Sequence, residues 1–179
     1  MSAPEQLQSY LEREAQLNGD RTAVTLAQDA LTYGQLDDQS TRLARLLVDH
    51  GCGAGDRVCL VAAKSPAAVV AMHAALKAGC CYVPVDSTSP AVRVERIVRS
   101  ADPRVVLVDA HGARLLEEAN IRPPLMGSLA PGEPPFPFAQ FGLGDLGSVE
   151  PHVPTDGVRR GSDGLLYYDA GASPLPGVS

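Results

Sequence analysis

Arg57–Ala62 reads RVCLVA and residues 104–109 read RVVLVD. Each is a continuous apolar run bounded by charge. Such short runs suit strands buried on both faces, the setting of a parallel sheet. Helix signals fill the interval between them. Ser65 and Pro66 make an N-cap and first-position pair. The Ala-rich helix they open runs to Lys77, and Gly79 stops it. A short strand is expected at residues 81–84. Ser89 and Pro90 repeat the cap signal ahead of a helix carrying Val94, Ile97 and Val98, which Asp102 and Pro103 end. Residues 111–120 form a further short helix. Strands alternating with helices imply right-handed crossovers and a mainly parallel sheet flanked by helices on both faces.

The pattern extends toward the N-terminus. Leu7, Leu11 and Leu17 lie near helical spacing, so residues 5–17 read as an amphipathic helix packed on the body. Residues 22–27 alternate weakly and form a strand. Gln28 and Asp29 turn it into a second short strand at residues 30–32. Thr32 and Gln35 are spaced as a capping box. Leu36, Leu43, Leu46 and Leu47 then share one helix face, and Gly51 closes that helix.

Composition changes near Arg122. Between Arg122 and Ser162 there are eight prolines and seven glycines, which disfavours long helices and central strands. Two regions are therefore expected. Residues 1–121 form an α/β unit, and residues 122–179 form an irregular Pro/Gly-rich extension. All three phenylalanines, Phe136, Phe138 and Phe141, fall in the extension and can dock on the body or on a partner, the body being the favoured expectation.

The chain of 179 residues is 45% hydrophobic, enough for a packed core, but only 4% aromatic and without Trp. Ala, Val and Leu must do the packing. A formal net charge of -6, spread along the sequence, argues against a nucleic-acid phosphate track. The first residues lack a basic segment followed by an apolar run, and no apolar stretch is long enough to span a bilayer. The expected location is the cytoplasm. Cys52, Cys59, Cys80 and Cys81 include no Cys-x-x-Cys pair and read as reduced, small hydrophobes.

Two motifs carry a family resemblance. Leu31-Thr32-Tyr33-Gly34-Gln35-Leu36 resembles the L-T-Y-x-E-L motif of nonribosomal peptide synthetase adenylation domains. Residues 76–86, LKAGCCYVPVD, resemble that family's L-K-A-G-x-x-Y-V-P-L-D. Gly55-Asp56-Arg57-Val58, Lys64-Ser65-Pro66 and the segment with Pro90 and Arg93 match further positions in the same order. The resemblance covers residues 11–109. It implies the N-terminal subdomain of the adenylate-forming superfamily, which also includes acyl-CoA synthetases and luciferases. Both motifs are structural in that family and supply no catalytic group.

The family's phosphate loop, Y-T-S-G-S-T-G-x-P-K-G, has one counterpart here, residues 168–178. Tyr168, Gly171 and Pro176 agree, and Ser173 replaces Thr. Asp169, Pro174 and Gly177 depart from it, the last standing where the family has its Lys. Three readings are weighed: an unrelated tail, a decayed remnant in which Gly171 and Ser173 would be the cofactor-binding residues, and, least favoured, a working phosphate loop. With the chain ending at Ser179, the family's later pocket wall, ribose-binding Asp and lid Lys are not in the sequence. No catalytic residue and no metal ligand are expected.

Other polar residues have plainer readings. His50, His73, His111 and His152 are scattered, and His73 reads as a packed histidine. Asp86 and Asp109 end strands, where α/β folds place ligands, but loop capping is the commoner reason. Glu117 and Glu118 form a solvated face, and Arg159 and Arg160 a loop pair.

Three functional expectations follow. The first is a truncated, non-catalytic interaction or assembly module of nonribosomal peptide or related biosynthesis. Its partner would be a pathway protein, or a second copy held through exposed apolar surface. The second is one piece of a split ligase, needing ATP, Mg²⁺ and a second chain to form an acyl-adenylate. The third, a thiol activity at Cys80 or Cys81, is disfavoured because both follow a helix C-terminus, whose partial negative charge raises a thiol pKa.

Overall fold

The computed structural model describes residues 7–130 and 139–150 and the backbone of two strands at residues 158–160 and 166–168. Its centre is a five-stranded parallel sheet: β3 (Arg57–Ala62), β4 (Cys81–Asp86), β5 (Val105–Val108), β6 (Met126–Ser128) and β7 (Phe141–Gly142). The strand order is β4-β3-β5-β6-β7. Helices α3 (Pro66–Lys77), α4 (Ala91–Ala101) and α5 (Ala110–Glu118) make the crossovers.

The two apolar runs behave as their composition requires. All four residues of β5, and Val58 to Val61 of β3, are buried. Strand alternation splits them between two layers. Val58, Leu60, Val105 and Leu107 pack with α2 (Tyr33–Asp49) and α3. Cys59, Val61, Val106 and Val108 pack with Val94 and Val98 of α4 and with Leu115 and Leu116 of α5. This two-faced burial explains why those strands are apolar at every position.

Helix ends follow the local signals in most places. Thr32 and Gln35 form the reciprocal capping box of α2, with Gln35 N donating to Thr32 Oγ1 at 3.2 Å and Thr32 N to Gln35 Oε1 at 2.9 Å. Gly79, at φ 74°, closes α3 with bonds Cys80 N to Ala75 O and Gly79 N to Leu76 O, the Schellman pattern. Gly51 closes α2 and Asn120 closes α5 in the same way.

One cap differs from expectation. Ser89 does not cap α4; Pro90 takes that place and no side chain caps the helix. The Asp86 carboxylate holds a tight turn through Thr88, and Ser89 N donates to Asp86 O. That turn consumes Ser89, so the first helical amides, Arg93 N and Val94 N, close on the Pro90 carbonyl instead.

The Pro/Gly-rich stretch also supplies an inner strand, against the compositional rule. β6 lies between β5 and β7. Pro123 and Pro124 precede it, so no paired position lacks an N–H. A Cβ at Gly127 would lie 2.6 Å from both Leu107 and the Phe141 ring, so the strand needs glycine there. Phe141 is buried and its ring lies 4.6 Å from His50; Phe136 and Phe138 lie outside the described residues.

At the N-terminal side, α1 (Leu7–Asn18) and the antiparallel hairpin of β1 (Thr22–Leu26) and β2 (Asp29–Thr32) cover α2 and α3. Lys77, buried between α2 and α3, gives all three ammonium protons to α2. Its Nζ lies 2.6 Å from Asp37 Oδ1, 2.6 Å from Thr41 Oγ1 and 3.0 Å from Asp37 O. Strands β8 (Val158–Arg160) and β9 (Leu166–Tyr168) pair antiparallel.

Candidate functional site

In an open α/β sheet the crevice for ligands opens where neighbouring strands send their connections to opposite faces. Here β3 leads to α3 and outward to β4, while β5 leads to α5 and outward to β6. The switch point therefore lies between the carboxyl ends of β3 and β5. Asp109 sits there.

Its carboxylate bridges the crevice. Oδ1 accepts from Gly112 N at 2.7 Å, capping α5, and Oδ2 accepts from Ala63 N at 2.8 Å, across the gap to the loop after β3. The close approach depends on Gly112, where a Cβ would stand 1.8 Å from the Val61 carbonyl oxygen. The positive end of α5 thus already holds an anion, the protein's own. Asp109 thereby satisfies both amides from within the chain.

Beside the switch point, between α3 and the end of β4, lies a cleft of about 620 Å³. Leu60, Ala62, Ala68, Met72, Pro84 and Val85 give it apolar walls. Lys64, Asp86, Ser87 and Thr88 stand at its polar end. Asp86 Oδ1 accepts from Thr88 N at 2.9 Å and from Thr88 Oγ1 at 2.8 Å. These bonds, together with Lys64 and Arg93 nearby, hold its carboxyl below the usual range. His111 Nε2 lies 2.9 Å from Ser87 O and pins the same loop to α5.

Both strand-end aspartates therefore act as loop caps, as their positions suggest. The second bond of Asp109 and the His111–Ser87 link have no local signal. Each depends on strand order, which brings distant loops together. Gly171 and Ser173 lie outside the described residues, as does His152. Arg159 and Arg160 lie on β8, of which only the backbone is described, and Glu117 and Glu118 are exposed.

The histidines stay apart. His50 Nδ1 lies 2.8 Å from Leu46 O. His73 is packed between helices with a buried, unpartnered Nδ1, and burial, reinforced by Lys77, pushes its pKa below 6.5. No cluster of three metal-ligating side chains occurs among the described residues.

The cysteines are free. Burial, aided by Cys52, Asp56 and Cys81, pushes the Cys80 thiol up to about 12. Burial also raises Cys52 and Cys59 to about 11. Desolvation, more than the helix end, keeps these three thiols protonated at neutral pH. Among the described residues, no helix is long and apolar enough to cross a membrane.

Residues 11–134 match the family described as AMP-binding enzyme. Malpinin synthetase of Mortierella alpina is 38% identical over 112 residues, 63% of this chain and 1% of the synthetase. An L-proline–[L-prolyl-carrier protein] ligase of Streptomyces coelicolor is 32% identical over 157 residues, 83% of this chain and 29% of the ligase. A benzoate CoA ligase structure from Burkholderia xenovorans superposes with a TM-score of 0.71 at 20% identity, covering 87% of this chain and 32% of that one. That last likeness is one of fold. The chain spans under a third of each of these three relatives.

Proposed function

Because the chain belongs to the AMP-binding enzyme family, and is adenylation-like over most of its length, we propose that these residues are the scaffold half of an adenylating unit. They do not form an acyl-adenylate by themselves. They serve as an interaction or assembly module in nonribosomal peptide or related biosynthesis. The observation that carries this reading is Asp109, whose carboxylate occupies the anion position at the switch point. The partner is a pathway protein or a second copy, and it meets exposed apolar side chains: Leu7, Tyr10 and Leu17 of α1 and Leu26 of β1. Four free thiols suit a reducing compartment, the cytosol.

Calorimetric titration of the 179-residue chain with Mg·ATP tests the catalytic half of this reading. It should give no saturable heat, and no amino acid should drive pyrophosphate exchange. Either signal would sink the proposal.

The match that extends over 83% of the chain to a carrier-protein ligase favours a second reading. On it, the chain is one piece of a carboxylate-activating ligase whose remaining groups, with ATP and Mg²⁺, lie on another polypeptide. Co-expression with the rest of that ligase should then restore L-proline-dependent exchange. A mixture as silent as either part would count against it.

A further inference from the structure

We propose that Cys52 and Cys80 are a dithiol modification site, oxidised by glutathione disulfide to an intrachain disulfide that staples the ends of α2 and α3 together. The two helices lie side by side in one layer and feed the neighbouring strands β3 and β4. Each ends in the same glycine stop, and the residue after that glycine is a cysteine. Cys52 N donates to Leu47 O at 2.9 Å, and Cys80 N donates to Ala75 O at 2.8 Å. The two turns are stitched together by Gly55 N to Gly79 O at 3.1 Å and by Cys81 N to Asp56 O at 2.8 Å. Cys80 Sγ lies 3.3 Å from the carbonyl oxygen of Gly53, the neighbour of Cys52. Cys52 is near enough to help raise the Cys80 thiol.

The other two cysteines are placed differently. Cys52 and Cys80 share the layer of α2 and α3. Cys59 packs in the opposite layer, and strand alternation puts Cys81 on that side with Val83. The register sets Cys59 opposite Val83 and Cys81 opposite Arg57, so Cys59 and Cys81 are diagonal and too far apart to bridge. Burial keeps the proposed pair quiet in the closed fold, with Cys52 raised to about 11 and Cys80 to about 12. Reaction therefore waits for the turn at residues 51–55 to open. A Cβ at Gly53 or Gly55 would meet no atom of the described residues within 4 Å, so the turn borders open space. In the opened turn the Cys52 thiolate attacks glutathione disulfide. The glutathione S–S bond breaks, a mixed disulfide forms, and one glutathione leaves as its thiolate. The Cys80 thiolate then attacks Cys52 Sγ. The Cys52–Cys80 bond forms and the second glutathione leaves. The two protein thiols give up two electrons, and their two protons end on the two glutathiones.

The test uses the full chain, reduced and then equilibrated in glutathione buffers of rising disulfide share. Folded monomer is isolated, free thiols are blocked, and the masses of tryptic peptides are measured. Cys52 falls in residues 46–57, Cys59 in 58–64, and Cys80 with Cys81 in 78–93. Wild type should yield 46–57 linked to 78–93. Cys81→Ala, shown folded by its spectrum, should yield the same link, with Cys80 the one cysteine left in the second peptide. The linked protein should melt about 5–10 °C above the reduced one and fall back with dithiothreitol. The proposal is overturned if no buffer ratio gives this link, if the link disappears in Cys81→Ala, or if Cys59 is the partner of either peptide. It is also overturned if the linked form melts no higher than the reduced chain.

Discussion

Asp109 joins two loops through one carboxylate, and its replacement separates the parts of that role. Asp109→Ala leaves the Ala63 and Gly112 amides without their acceptor. The expected loss is about 1–3 kcal/mol, read from urea unfolding. Those amides then face an empty anion position, so phosphate buffer should return part of the stability to the variant and little to wild type. Equal phosphate effects on both would show that the carboxylate does not stand in an anion site. Gly112→Ala should cost more, above about 3 kcal/mol, because its methyl would collide with the Val61 carbonyl. Lys77 presents an asymmetry of a different kind. Its side chain is 4% exposed and that of Asp37 is 29% exposed. Lys77→Met leaves a carboxylate that water still reaches, whereas Asp37→Ala leaves an ammonium buried with only Thr41 and a backbone carbonyl. Asp37→Ala should therefore be the worse variant, by about 1–2 kcal/mol. Reversal of that order would mean that Lys77 contributes chiefly through its hydrocarbon stem.

At the scale of elements, helix stops repeat one device. Gly51, Gly79 and Asn120 each take a left-handed conformation after a helix and return two amides to its last carbonyls. Gly79→Ala should cost about 1 kcal/mol from the positive φ alone. Gly51→Ala should cost a similar amount, since the Arg104 guanidinium near its Cβ is the end of a flexible side chain and can swing aside. Denaturation midpoints of the two variants give the comparison. These stops, like the capping box, lie within a few residues of sequence, so β3, α2, α3 and β5 are legible in the sequence itself. Misreadings arose where a partner lies farther off. Ser89 looks like a cap until Asp86 draws it into a turn. β6 looks too rich in Pro and Gly for an inner strand until its prolines are seen to stop short of the ladder. The candidate site is harder still to read. Asp109 is visible as a cap of α5, but its bond to Ala63 exists only because β3 and β5 are neighbours.

The molecule as a whole responds to pH through the seam where α1, α2 and α3 meet. His73 of α3 sits in that seam, its Nδ1 buried without a partner. Burial disfavours the imidazolium, and the nearby Lys77 ammonium adds to the cost. Asp37 acts the other way, as a carboxylate that favours the charged ring. Glu14 of α1 lines the same groove, together with Tyr10 and Tyr33. The net result is a folded-state pKa below the ordinary 6.5. The unfolded chain then takes up the proton first. Stability is fully present above pH 6.5 and is lost as pH falls from there through the folded value. Wild type should accordingly lose stability as pH falls below the ordinary 6.5. His73→Gln, which cannot titrate, should lose less over the same range. Because α1 covers this histidine, amide exchange in Leu7–Asn18 should accelerate at the acid end in wild type and change less in the variant. Equal acid sensitivity of the two proteins would place the titrating group elsewhere. Tightening of α1 at low pH would mean that protonated His73 finds Glu14 and that the groove stabilises the charge it was expected to exclude.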